Sequence, residues 1–195
     1  LPILFRVGVD LEWETPASAP VGISLGINPS LNTDFAGNVW GDGFQLDGRG
    51  MLLFRMDQYW MLGLGALYWD RVNDRVLPYG GLIYRDDYWE WQLTYPEAQV
   101  SLFLGNEAYW SKWIYFRAEY HVEAYGIERT VAGKAEENQI EISDYRLIGG
   151  FRMDTGLYSW FFEGGYVLDR NLVFATGQAD MSIGDAFIGQ IGLRY

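Results

Sequence analysis

Polar and apolar positions alternate along residues 113–125, W-I-Y-F-R-A-E-Y-H-V-E-A-Y. Arg117, Glu119, His121 and Glu123 share one parity; Ile114, Phe116, Ala118, Tyr120, Val122 and Ala124 share the other. A period of two is that of a β-strand with two unlike faces. The pattern recurs and predicts eleven strands, at about 3–13, 21–31, 44–57, 59–70, 79–86, 88–95, 98–104, 112–126, 139–153, 157–170 and 185–195. The last of these, F-I-G-Q-I-G-L-R-Y, sets Phe187, Ile191, Leu193 and Tyr195 on one face. Long alternating strands with aromatic ends predict a transmembrane β-barrel.

The connections alternate in length. Tight turns are predicted at Asp57-Gln58, Asp86-Asp87 and Asp154-Thr155-Gly156, and longer polar loops at 32–43, 71–78, 127–138 and 171–184. Short periplasmic turns opposite longer extracellular loops are the barrel pattern. Tyr95-Pro96-Glu97 departs from it, being short on the long-loop side. With Tyr195 at the periplasmic face, alternating directions carry Leu1 to the outside. Single-chain bacterial barrels have an even strand count. The odd count therefore implies one N-terminal strand outside this sequence and a barrel of about twelve, or one segment miscounted and a barrel of about ten. The expectation is one all-β domain over 1–195, an antiparallel transmembrane β-barrel of about 10–12 strands.

Composition explains why hydropathy alone hides this. Apolar residues make up 49%, yet no run approaches the ~20 residues of a membrane helix, because they are dispersed at period two. Aromatics reach 17%, with nine Trp and fourteen Tyr. A soluble lipocalin-like barrel points apolar residues inward and a membrane barrel inverts this. So much Trp and Tyr overfills a small closed interior. The apolar face is accordingly read as lipid-facing, with girdle aromatics at Trp13, Trp60, Tyr68, Trp89, Trp91, Tyr95, Tyr158, Trp160 and Tyr195.

The other face then lines the lumen, with Asp47, Arg49, Arg55, Glu90, Arg117, Glu119, His121, Glu123, Asp144, Arg146, Arg152 and Glu163 as its principal charged positions. Charges inside a narrow barrel are costly unless paired. Lys112 and Lys134 are the two lysines, against twelve arginines. A planar guanidinium bonds carboxylates bidentately, so the arginines read as partners in a lumenal network. The net charge of −12 and the lack of a basic stripe argue against nucleic acid. No cysteine is present, which excludes disulfides and thiolate metal sites.

Residues 77–195 resemble an uncharacterised bacterial outer-membrane β-barrel family, a domain of unknown function. The matching elements are L-P-Y-G-G-L-I-Y-R (77–85), W-E-W-Q-L-T-Y-P-E-A-Q-V (89–100), R-A-E-Y (117–120), I-S-D-Y-R-L-I-G-G-F (142–151) and E-G-G-Y-V-L-D-R-N-L (163–172). The resemblance implies an outer-membrane barrel in a Gram-negative envelope. It supplies no activity and no catalytic residues.

His121, the single histidine, lies between Glu119 and Glu123. That arrangement suits a general base or a metal ligand, but an ion-network role with Arg117 is the simpler reading. A membrane-barrel hydrolase would need a nucleophile, and Ser101, Ser143 and Ser159 qualify by residue type alone. Asp34, Asn38 and Asp42 offer oxygens for Ca²⁺, but not at EF-hand spacing, and turn chemistry accounts for them. Asp169 and Arg170 form either a gating salt bridge or an ordinary strand-end pair. No cofactor, metal or catalytic residue is assigned. Two functions remain. One is a porin-like narrow pore for ions or small polar solutes, mildly cation-preferring. The other is a sealed structural or interaction barrel that anchors or joins a larger surface assembly. The expected partners are the lipid bilayer and, for the second reading, other proteins.

Overall fold

The computed structural model describes residues 3–16, 18–36, 40–41, 43–131, 134–176 and 180–194, without the side chains of 129–131, 134–135 and 194. The described residues contain strands and no helix: β1 (Phe5–Gly8), β2 (Leu11–Glu14), β3 (Val21–Thr33), β4 (Phe44–Arg55), β5 (Trp60–Trp69), β6 (Arg75–Arg85), β7 (Trp89–Tyr95), β8 (Glu97–Glu107), β9 (Trp110–Val131), β10 (Lys134–Asp154), β11 (Ser159–Phe174), β12 (Met181–Ile183) and β13 (Ala186–Arg194). β1 and β2 both pair with β3, and β12 and β13 both pair with β11. Counting each broken strand once gives eleven strand positions, matching the period-two reading. Each position pairs antiparallel with the next in sequence.

Closure occurs at seven strands rather than ten to twelve. β3 to β9 form a closed ring, completed by a parallel bridge between Thr33 and Gly126. β1–β2 extend from the outer edge of β3, while β10, β11 and β12–β13 extend from β9. The physical cause is strand length. β9 and β10 span 22 and 21 residues, whereas β8 stops pairing with β9 at Glu119. The distal half of the β9–β10 hairpin outruns its neighbours and reaches β3.

The polar loop expected at 127–138 is therefore strand on both sides, with register continuing to Val131 and Lys134. Similarly, β6 begins at Arg75, inside the loop expected at 71–78, and β11 runs to Phe174, inside that expected at 171–184.

The short turns hold their strands by side-chain caps. Asp57 Oδ1 accepts from the N–H groups of Tyr59 and Trp60 at 2.7 and 2.8 Å. Asp86 repeats the arrangement, accepting from Tyr88 at 2.8 Å and Trp89 at 2.6 Å while the Tyr84 hydroxyl donates to its second oxygen at 2.6 Å. The hydroxyl, then the two N–H groups, hold the Asp86 carboxyl below its ordinary value. A lowered carboxylate pKa adds stability above its unfolded value, and that stability is lost as pH falls through the folded value. A ¹³C titration of the Asp86 carboxyl is expected to show a midpoint below that of an ordinary aspartate. A normal midpoint would show that the cap is not formed in solution.

Alternate residues face opposite ways throughout, and the convex face is apolar. Ile23, Leu25, Ile27, Leu52, Leu64, Leu93, Phe116, Leu147, Phe162 and Ile191 are all exposed. Across β10, β11 and β13, Gly149, Gly164 and Gly189 pair directly and form a bare row on this face. The concave face holds the charged side chains.

Candidate functional site

The concave face is an ion-pair network built by β2, β4, β7, β9, β10 and β11. Its driest carboxylates are Asp144 on β10 and Glu163 on β11, with side chains 2% and 3% exposed. Arg117 Nη2 donates to both Glu163 oxygens, at 3.0 and 3.1 Å, and the Tyr115 hydroxyl donates to Oε2 at 2.8 Å. Arg117 Nε lies 3.2 Å from Glu119. The period of two made this possible: residues 115, 117 and 119 share a face, and β10 brings β11 alongside.

The other lumenal arginines expected from the sequence also meet carboxylates. Arg49 lies 3.2 Å from Asp10 and 3.3 Å from Glu12. Arg55 lies 3.1 Å from Glu14 and donates to the Ala19 carbonyl at 2.7 Å. Arg152 pairs with Asp154 at 2.8 Å and reaches from β10 to Glu90 on β7 at 3.2 Å, its guanidinium 5.2 Å over the Trp113 ring. Arg146 pairs with Asp144 at 2.8 Å and lies 3.7 Å from Glu119.

His121 sits inside this network. Arg146 Nη2 is 2.7 Å from His121 Nδ1. A guanidinium only donates, so Nδ1 accepts and the proton belongs on Nε2, which lies 3.4 Å from Glu123. The three serines that qualified by residue type lie elsewhere: Ser101 accepts from Gln99 at 3.0 Å, Ser159 donates to Asp154, and Ser143 pairs across the ladder with Val122, on the face opposite His121. Among the described residues, no group of three or more His, Cys, Asp or Glu side chains is disposed to hold a metal.

The loop end of the ring carries a second set of groups that period-two reasoning missed. Between residue 120 and the Thr33 bridge at Gly126, the β8-side edge of β9 has no strand neighbour, and side chains take the place of a strand. Arg71 Nε donates to the Val122 carbonyl at 2.8 Å. Asn32 Nδ2 donates to the Ala124 carbonyl at 3.0 Å, and Gln45 Nε2 joins it. The Asp34 N–H donates to the Gly126 carbonyl at 3.3 Å. Arg71 is itself clamped by Asp47, at 2.6 and 2.9 Å. Arg75 pairs with Glu141, whose side chain is fully buried, and donates to the Tyr120 hydroxyl at 2.8 Å. Val122, Ala124 and Glu141 have outward parity, yet all three are buried, because this half of the hairpin lies across the ends of β3 to β6.

Arg6 shares the parity of Asp10 and Glu12, so the alternation carried a signal for it. It lies 2.8 Å from Glu123 and donates to Asn28 at 3.0 Å. A polar chamber of about 430 Å³ remains toward the loop end, lined by Arg6, Asn28, Asp47, Arg49, Tyr79, Gln92 and Trp69.

Of the girdle aromatics, Trp13, Trp89, Tyr158 and Trp160 are exposed near the short turns, and Tyr68 and Tyr95 near the loops. Trp60 and Trp91 are partly buried in a ring cluster with Tyr84, at 4.8 and 5.5 Å. Tyr195, Asn38 and Asp42 lie outside the described residues. Asp34 serves as a turn acceptor, receiving the Ala36 N–H at 2.9 Å. Asp169 stands at φ 50° beside Arg170, and no ion pair joins them among the described residues.

No family model matches the chain, and neither a curated protein nor a solved structure does.

Proposed function

We propose that this chain is a bacterial outer-membrane β-barrel whose lumen is sealed by its own ion pairs. It acts as a structural or interaction barrel, an anchor or subunit of a surface assembly, rather than as an enzyme. The pairing carries this reading: Arg49, Arg55, Arg117, Arg146 and Arg152 each meet a carboxylate. Ions crossing such a lumen must displace partners already in place. The β9–β10 hairpin lying over the strand ends adds a second obstruction. The bilayer location is supported by the apolar convex face and by aromatics near both strand ends.

Planar-bilayer recording of the refolded protein under a salt gradient tests the sealed state. The expected record is silent, from protein that migrates in a heat-modifiable way on a denaturing gel. Discrete cation-preferring steps would overturn the sealed reading in favour of a narrow pore. The 430 Å³ polar chamber is the observation that favours that second reading.

A further inference from the structure

The concave face keeps a space that its ion pairs do not fill, the polar chamber of about 430 Å³. Asp10 and Arg49 line it from the β1–β4 side, and Glu97 lines it from the start of β8. Between these in strand order, Leu67 and Trp69 of β5 and Tyr79 of β6 complete the wall. The space suits a molecule rather than a bare metal ion. Its carboxylates do not converge on a point: among the described residues, no three His, Asp or Glu side chains are disposed to hold a metal.

Charge around the chamber is unevenly compensated. Asp47 is matched, since Arg71 donates to both of its oxygens. Asp10 and Glu12 instead share the guanidinium of Arg49, at 3.2 and 3.3 Å, so two negative charges meet one positive. Both are accessible from water, at 53% and 52% exposed, against 3% for Glu163 in its pair with Arg117. Tyr79 stands in the field of Asp10, Glu12 and Glu97 as well as of Arg49. A space lined this way concentrates positive charge. The remaining wall is not ionic. Leu67 and the rings of Trp69 and Tyr79 offer apolar and π surface, which favours a weakly hydrated cation with a hydrocarbon body.

We propose that this chamber binds a small organic ammonium ion with a short apolar body. The ammonium group sits at Asp10 beside Tyr79, and the body lies along Leu67 and Trp69. An anion would meet Asp10, Asp47 and Glu97, and a hydrated metal ion would leave the apolar wall uncovered. The inference goes beyond the sealed reading and rests on it only in making the chamber a dead end rather than a station along a pore.

The probe is n-butylammonium, added to protein refolded in detergent micelles and followed by ¹⁵N NMR of the Trp indole N–H groups, with the Trp69 signal assigned from Trp69→Phe. The Trp69 signal is expected to shift saturably, with a Kd of about 1 mM or tighter, within reach of a ligand of about five heavy atoms. Butanol keeps the body without the charge, butyrate reverses the charge, and Mg²⁺ has charge without a body. Each is expected to act at least about tenfold more weakly. Asp10→Asn is expected to weaken butylammonium about tenfold. Glu107→Gln removes the same charge from an exposed pair with Lys112 outside the chamber, and is expected to change the Kd by less than about twofold.

Absence of a saturable Trp69 shift up to about 20 mM butylammonium would overturn the proposal. So would equal affinity for butanol or butyrate, which would show an apolar cavity indifferent to charge, or for Mg²⁺, which would show counter-ion attraction alone. Equal losses in Asp10→Asn and Glu107→Gln would do the same. The ligand series needs no variant and no bilayer. Conducting steps in the planar bilayer would overturn the sealed reading and leave a positive binding result standing.

Discussion

Arg117→Leu is expected to destabilise the protein by about 3–5 kcal/mol, the range for stranding one charge of a buried pair. Glu163 is nearly dry and draws two of its three hydrogen bonds from Arg117. Without the guanidinium, its carboxylate retains one hydroxyl donor and no adjacent cation from Arg117. The double substitution Arg117→Leu with Glu163→Leu removes both charges and is expected to recover most of the loss, since apolar replacement of a whole buried pair is close to neutral. Guanidinium unfolding in detergent micelles reads both. A single variant as stable as the parent would show that Glu163 is solvated or protonated rather than held by Arg117.

The second large effect concerns backbone. Gly81 stands at φ +153°, and a Cβ there would fall 2.1 Å from the Leu93 carbonyl oxygen. Gly81→Ala therefore meets both a conformation that L-residues rarely adopt and a backbone atom that cannot move without breaking the β6–β7 ladder. The expected cost is about 3 kcal/mol or more, combining local strain with overpacking. Gly149 is the control. It lies in the bare row of the convex face, where a Cβ would meet nothing within 4 Å. Gly149→Ala is expected to change stability by no more than about 0.5 kcal/mol. Equal losses at both positions would overturn the distinction between crowded and open glycines.

The parts legible in the sequence are those in which each residue's parity decides its surroundings. Arg117, Glu119 and Glu163 have inward parity and are inward; Ile114 and Phe116 have outward parity and are exposed. That rule holds where no other part of the sheet packs on a strand's outer face. It fails in the distal β9–β10 hairpin. The polar run T-V-A-G-K-A-E-E-N carries no apolar alternation, yet much of it forms strand because each member of the hairpin satisfies the other's backbone. Glu141 has outward parity and is fully buried, since its half of the hairpin rides over other strands. Arg71 reads as part of a polar turn, and nothing local indicates that it reaches a carbonyl 51 positions away. Closure at seven strands follows from such contacts, so alternation alone gave the number of strands but not where the ring shuts.

The way the ring shuts also affects how freely this sequence can drift. A β-ladder is made of backbone and is largely indifferent to which side chains it carries. The edge of β9 from Val122 to Ala124 is instead fastened by Arg71, Asn32 and Gln45. There, the fastening beside the Thr33–Gly126 bridge is written in side-chain identity, so a single codon change removes one of its ties. Substitutions that a strand interior would absorb as a change of one face are, at these three positions, changes to how the ring is held shut.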